Sequence, residues 1–143
     1  MAISQAVTNS FKKELLDGVH DLDTGGNTFK LALYTSVANL SAATTSYTTG
    51  SEVAASGQYS AGGGVLTGQQ TSVASGVAIV DFNDLSFTGV TLTARGAVIY
   101  NDTVAGDPSV CVLDFGGDKT ATSGTFTIQF PDFTTSAAIL RIS

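Results

Sequence analysis

"TFKLALYTS" (residues 28–36) puts Phe29, Leu31 and Leu33 on one side of the chain and Lys30, Ala32 and Tyr34 on the other. A period of two is the signature of a β-strand with one face in a core, so a half-buried strand is expected here. The same rhythm returns from residue 64 onward. "GVLTGQQTSVASG", "VAIVDFNDLSFTG", "VTLTARGAVIYN", "SVCVLDFGGDKTATSG", "TFTIQF" and "AAILRIS" carry β-branched and aromatic residues between Gly, Asn and Asp turns. "VAIVDF" and "VCVLDF" are nearly continuous apolar runs, which predicts central strands. Residues 115–130 read as a hairpin with a polar tip, closed by Pro131. Turn signals at this spacing predict an all-β domain, a β-sandwich of jelly-roll-like kind.

Upstream the period changes. Ile3, Val7, Phe11, Leu15, Leu16, Val19 and Leu22 fall at helical spacing. One N-terminal α-helix is expected near residues 4–18, capped by Ser4 or Asn9 and ended or weakened at Gly18. A lone amphipathic helix must bury its stripe, either on its own sheet or on a neighbouring subunit. The expected organisation is one domain over residues 1–143, with a helical segment at 1–22 and the sandwich at 28–143. Residues 36–63 stand apart. They are small, polar and Gly-rich without a period, which reads as a long surface loop or a set of short irregular strands.

Composition narrows the function classes. The 143 residues carry a net charge of −6, with 6 Lys and Arg against 12 Asp and Glu. Phosphate contacts need clustered cations, so nucleic acid is not an expected partner. No apolar stretch approaches the roughly 20 residues of a membrane span, and the opening "MAISQAVTNS" lacks the basic start and apolar core of a signal peptide. Cys111 is the only cysteine, so no internal disulfide is possible, and its apolar setting reads as a small buried hydrophobe. Charged residues make up only 13% of the chain, which leaves surfaces of small polar side chains suited to permanent assemblies.

The residues that carry chemistry are few. His20 is the only histidine, so any Ser-His-Asp or Cys-His arrangement must be built on it. It follows the helix beside Asp21 and Asp23, where a surface or helix-end role is expected. The loop "DLDTGGNTFKLA" aligns Asp21, Asp23 and Gly26 with a calcium hand, yet offers Gly25 at position five and Ala32 at position twelve, where the hand needs a bidentate Glu. An EF-hand is rejected, while a looser surface site using Asp21, Asp23 or Asp118 stays open. "GGG" at 62–64 and "GG" at 116–117 lack the following Lys-Ser pair or helix of a phosphate cradle. Only Glu14 and Glu52 are glutamates, and there is no tryptophan on which a sugar could stack. No catalytic residue, cofactor or metal site is expected.

Several pieces taken together resemble small virion proteins of tailed bacteriophages, along nearly the whole chain. They are Phe11 with Leu15–Leu16–Asp17–Gly18–Val19–His20, the Lys30–Ala32–Leu33–Tyr34–Thr35 strand, Ala94–Arg95–Gly96–Ala97, and Asp114–Phe115–Gly116 with Phe126–Ile128–Phe130–Pro131. These are packing and turn signatures rather than catalytic ones. The resemblance implies a structural protein of the virion, made in the host cytoplasm. Its first implied role is head decoration, as a capsid cement protein bound to the major capsid protein. The second is a tail or tail-fibre component, and the rival class is a receptor- or carbohydrate-binding module. Shell lattices present three-fold points, so a homotrimer is implied. In that picture the helix lies at the base or between subunits and segment 36–63 packs on a neighbour, with Phe11, Leu15, Val19, Leu40, Tyr47 and Tyr59 as the candidate interface residues.

Overall fold

The computed structural model describes residues 2–131, 133–134 and 138–142. The chain runs β1 (Ala6–Val7), α1 (Asn9–Leu16), β2 (Phe29–Tyr34), β3 (Gly64–Val65), β4 (Gln70–Ala74), β5 (Val77–Asp81), β6 (Leu85–Asn101), β7 (Ser109–Ile128) and β8 (Leu140–Ile142). It is an all-β domain of two antiparallel sheets with one short N-terminal helix, as the strand rhythm predicts. The larger sheet is ordered β1-β7-β6-β2-β3 and the smaller β4-β5-β8. The two continuous apolar runs occupy interior positions: "VAIVDF" supplies β5, the middle of the smaller sheet, and "VCVLDF" lies in β7, between β1 and β6. Of the closing "AAILRIS", β8 takes Leu140–Ile142, while Ala137 and Ser143 fall outside the described residues.

β2 is buried on both faces, not one. Phe29, Leu31 and Leu33 enter a core shared with Phe11, Phe82 and Leu140. Ala32 and Tyr34 enter a second cluster with Ile3, Ala38, Leu40, Val98, Tyr100 and Val112. The cover on this second face comes from segment 36–63. Its backbone is tied to the sheet by Thr35 N–H to Ser51 O, Val53 N–H to Leu33 O, Tyr47 N–H to Asp107 O and Ser109 N–H to Thr45 O. Ala38 and Leu40 lie on the outer cluster, while Val53 and Tyr59 turn around the β2 edge into the inner core. The segment therefore satisfies its polar backbone groups within its own chain, as buried backbone must. Gly63 lets it pass the sheet closely. Its φ is +80°, and a Cβ there would run into the Leu31 carbonyl.

Two expected elements take another form. The helix is shorter than residues 4–18 because tertiary pairing claims its beginning. Ala6 and Val7 pair with Val112 and Cys111, and Ile3 bridges Leu40. Thr8 is the N-cap residue, and its hydroxyl donates to the Val110 carbonyl instead of capping the helix. At the other end Gly18, at φ +75°, stops the helix. Its N–H reaches Leu15 O and the Val19 N–H reaches Glu14 O, the pair of bonds that makes a Schellman cap. The stripe Ile3–Leu22 is thus divided: Ile3 packs on the outer cluster, while Phe11 and Leu22 pack in the inner one.

The predicted hairpin at 115–130 is instead part of one long strand, β7, paired along its length with β6. Ala94 pairs with Lys119 but Gly96 with Asp114, so Phe115–Asp118 bulge out of the ladder. The Gly116–Gly117 signal marks this bulge, with Gly116 at φ +79°. Beyond the bulge, Phe126 and Ile128 of β7 pack in the inner core with Phe87 and Val90 of β6.

Candidate functional site

All four tyrosines, scattered in sequence, gather near Glu52. Its Oε1 accepts a hydrogen bond from the Tyr47 hydroxyl at 2.6 Å. Its Oε2 accepts from the Tyr59 hydroxyl at 2.8 Å and from Gly62 N–H at 2.8 Å. Tyr100 donates to Gly62 O at 2.6 Å, and its ring stacks on that of Tyr47 at 4.8 Å. Tyr34 donates to Thr48 O at 2.6 Å. The strand pattern explains half of this arrangement: in the β2–β6 register Lys30 faces Tyr100 and Tyr34 faces Gly96, so both rings rise on the outer face. Tyr59 approaches from the β2 edge. β3 pairs only with Lys30 and Leu31, and beyond it the Leu33 N–H donates to the Tyr59 hydroxyl at 2.8 Å.

Burial pushes the Tyr47 hydroxyl up to about 12, helped by the Glu52 carboxylate beside it. The phenols of Tyr34, Tyr59 and Tyr100 are raised further, again chiefly by burial. A phenol held protonated donates a hydrogen bond; it is not a nucleophile at neutral pH. The cluster clamps segment 36–63 to the sheet. Its linkage to pH has a definite sign. A folded value above the ordinary 10.0 means that the native state holds the proton more tightly. Stability from the cluster is then complete below pH 10.0 and is lost as pH rises toward and beyond about 12. Thermal unfolding followed across that range should show a level midpoint and then a fall, with tyrosinate absorbance appearing together with unfolding. Tyrosinate forming near its ordinary value in a still-folded protein would contradict the arrangement.

His20 is a buried clasp instead of a surface residue. Its side chain is fully covered, packed on Phe11 at 4.9 Å between ring centroids. Nε2 meets Glu14 Oε1 at 3.0 Å and Nδ1 meets Asn101 Nδ2 at 3.0 Å. The Asn101 amide is oriented by its Oδ1, which accepts from Thr103 N–H, so it donates to His20 and to Asn27 Oδ1. Both ring nitrogens are engaged by structural partners, which ties α1 to the end of β6. Cys111 is buried on β7, its thiol pushed up to about 12 by burial. Asp21 and Asp23 serve their turn. Asp21 Oδ1 accepts from Asp23 N–H, and Asp23 Oδ1 accepts from the Thr71 hydroxyl.

A groove of about 530 Å³ with an almost wholly apolar lining lies between α1 and the smaller sheet. Phe11, Leu15 and Leu16 line one wall, and Ile79, Leu140 and Ile142 the other. Leu16 is 90% exposed and Ile142 58%, unusual for such side chains. β4 stands beside it with all five residues exposed, and among the described residues it pairs only with β5. A second cleft of about 510 Å³ follows the bulged half of β7, with a mixed lining that includes Asp114, Lys119 and Phe126.

The candidate interface residues divide accordingly. Phe11, Leu40 and Tyr59 are buried in this chain's own clusters. Tyr47 is partly buried against Tyr100. Leu15 and Val19 are half-buried, and only Leu15 lines the groove. Glu52, Leu16 and Ile142 were missed. Leu16 and Ile142 were visible as apolar residues, but which side of an element faces water is set by its neighbours. Glu52 had one signal, as the only carboxylate in a segment otherwise free of charge.

No family model, curated protein or solved structure matches the chain. Among the described residues no group of three His, Cys, Asp or Glu converges to hold a metal ion, and no helix is long and apolar enough to cross a membrane.

Proposed function

We propose that this chain is a non-enzymatic structural protein of a tailed-phage virion, acting as a capsid cement protein. One observation carries the reading. Glu52 with its tyrosines, and His20, are tied into internal clamps, while large apolar side chains stand exposed along the α1–β8 groove. A protein that works by being bound needs such a surface and no reactive centre. In this role the chain attaches to the major capsid protein as a homotrimer, and the edge of β4, unpaired among the described residues, is the surface suited to self-association. Many copies bound to the assembled shell stabilise it by mass action even when each contact is modest. The likeness of the sequence to virion proteins supplies the biological setting. A carbohydrate-binding module draws less support, because the tyrosines that a sugar would stack on are turned into the Glu52 cluster.

The expected result is that the protein fractionates with heads lacking tails, and that heads carrying it survive heat or osmotic shock better than heads without it. Localisation to the tail would move the assignment to a tail component. Equal survival of both kinds of head would remove the cement role.

A further inference from the structure

We infer that the Asp23–Thr24 turn is an edge guard, which holds β4 closed to a second copy of this chain until assembly. This rests on reading the chain as an assembly module and names how that module's self-association is restrained. The turn lies along β4 and the residue ahead of it. The Thr24 hydroxyl donates to the Gln69 carbonyl at 3.1 Å, and the Gln69 amide donates to the Asp23 carbonyl at 2.9 Å. The Thr71 hydroxyl donates to Asp23 Oδ1 at 3.0 Å. Bonds from the Thr24 N–H, the Thr71 hydroxyl and the Thr71 N–H hold the Asp23 carboxyl below its ordinary value. A Thr71 N–H spent on Asp23 points away from β5. In an antiparallel pair such outward groups recur at every second residue, so the open edge consists of Gln69, Thr71 and Val73. The turn occupies the first two and leaves Val73. Edge strands are normally blunted by charge, proline or a bulge. Residues 68–76, "GQQTSVASG", contain no charge and no proline, and β4 meets β5 without a register shift. The turn supplies what the strand lacks, a carboxylate at the edge and bonds to its outward backbone. Two copies meeting along β4 each bring an Asp23, so the guard repels as well as covers. An uncharged edge lets copies of net charge −6 meet once Asp23 moves aside. Asp23, Thr24 and all of β4 are exposed, so displacing the turn uncovers no core. At a shell, copies face one another at high effective concentration, where a second copy's strand can displace these two residues.

The test uses the full-length chain in two measurements. In the unaltered protein, amide hydrogen exchange should give Thr71 a protection factor at least about tenfold higher than Val73, its outward neighbour on the same edge. Sedimentation velocity then compares this protein with a variant carrying Asp23→Ala and Thr24→Val. The variant should self-associate at a concentration at least about tenfold lower, with an unchanged circular dichroism spectrum. Val73→Pro added to it should restore the sedimentation of the unaltered protein, because a proline at an outward N–H spoils the edge without removing a bond within the sheet. Equal protection of Thr71 and Val73 would overturn the inference whatever the variants do. So would a guardless variant that sediments like the unaltered protein, or association that survives Val73→Pro and therefore uses another surface. If the protein is found on heads yet removing the guard changes nothing, only this inference falls. If the guard behaves as expected but the protein never fractionates with heads, the virion role falls and the guard stands.

Discussion

Replacing Glu52 by Ala should destabilise the protein by about 3–5 kcal/mol, because three donors each lose a charge-assisted bond of about 1.5–3 kcal/mol and their combined loss is not additive. The donors are the hydroxyls of Tyr47 and Tyr59 and the N–H of Gly62. Tyr59 also accepts from the Leu33 N–H, so the disturbance reaches the edge of β2. Glu52→Gln is the informative contrast. Its carbonyl oxygen can keep the bonds from Tyr59 and Gly62, and its amide can donate to the Tyr47 hydroxyl, since a hydroxyl both gives and accepts. The Gln variant should therefore lose only about 1 kcal/mol. Urea midpoints of the three proteins decide the matter. Equal, small losses for both variants would mean that the cluster does not hold segment 36–63 in place.

Phe11→Ala should cost about 3–5 kcal/mol, the range for an aromatic removed from a packed core. Phe11 is the buried residue of α1, and it also forms one face of the His20 clasp. Periodicity made Leu15 its equal as an anchor. The half-buried position of Leu15 in the groove wall lowers the expected cost of Leu15→Ala to about 1–2 kcal/mol. Leu16→Ala should stay within about 0.5 kcal/mol, as an exposed substitution does. The order Phe11, Leu15, Leu16 in denaturation midpoints is the prediction. A Leu16→Ala loss as large as that of Phe11→Ala would mean that the groove is closed in the free protein.

The strands were legible because their signal is local. Alternation in 29–34 and continuous apolar runs at 77–82 and 110–115 are set by which side chains point the same way, and no distant residue changes that geometry. The helix was half legible. Residues 9–16 keep their period, and Gly18 marks the stop through its own backbone freedom. Residues 3–7 carry the same period yet pair with β7 and Leu40, because hydrogen bonds to a distant strand outweigh a weak local helix preference.

What the sequence by itself determined is the class of the fold and the scarcity of reactive groups: an all-β domain with one early helix, one histidine and one cysteine. Tertiary structure alone decided the rest. It placed segment 36–63 on the outer face of the sheet, so that a strand patterned as half-buried became buried on both sides. It brought Tyr34, Tyr47, Tyr59 and Tyr100 to one carboxylate, and it opened a groove beside Leu16 while closing the core over Phe11. The physical reason is common to all three. Period reports which residues share a face, whereas what covers that face depends on chain segments tens of residues away, and a polar tip on an aromatic ring hides a buried position until its hydrogen-bond partner is in place.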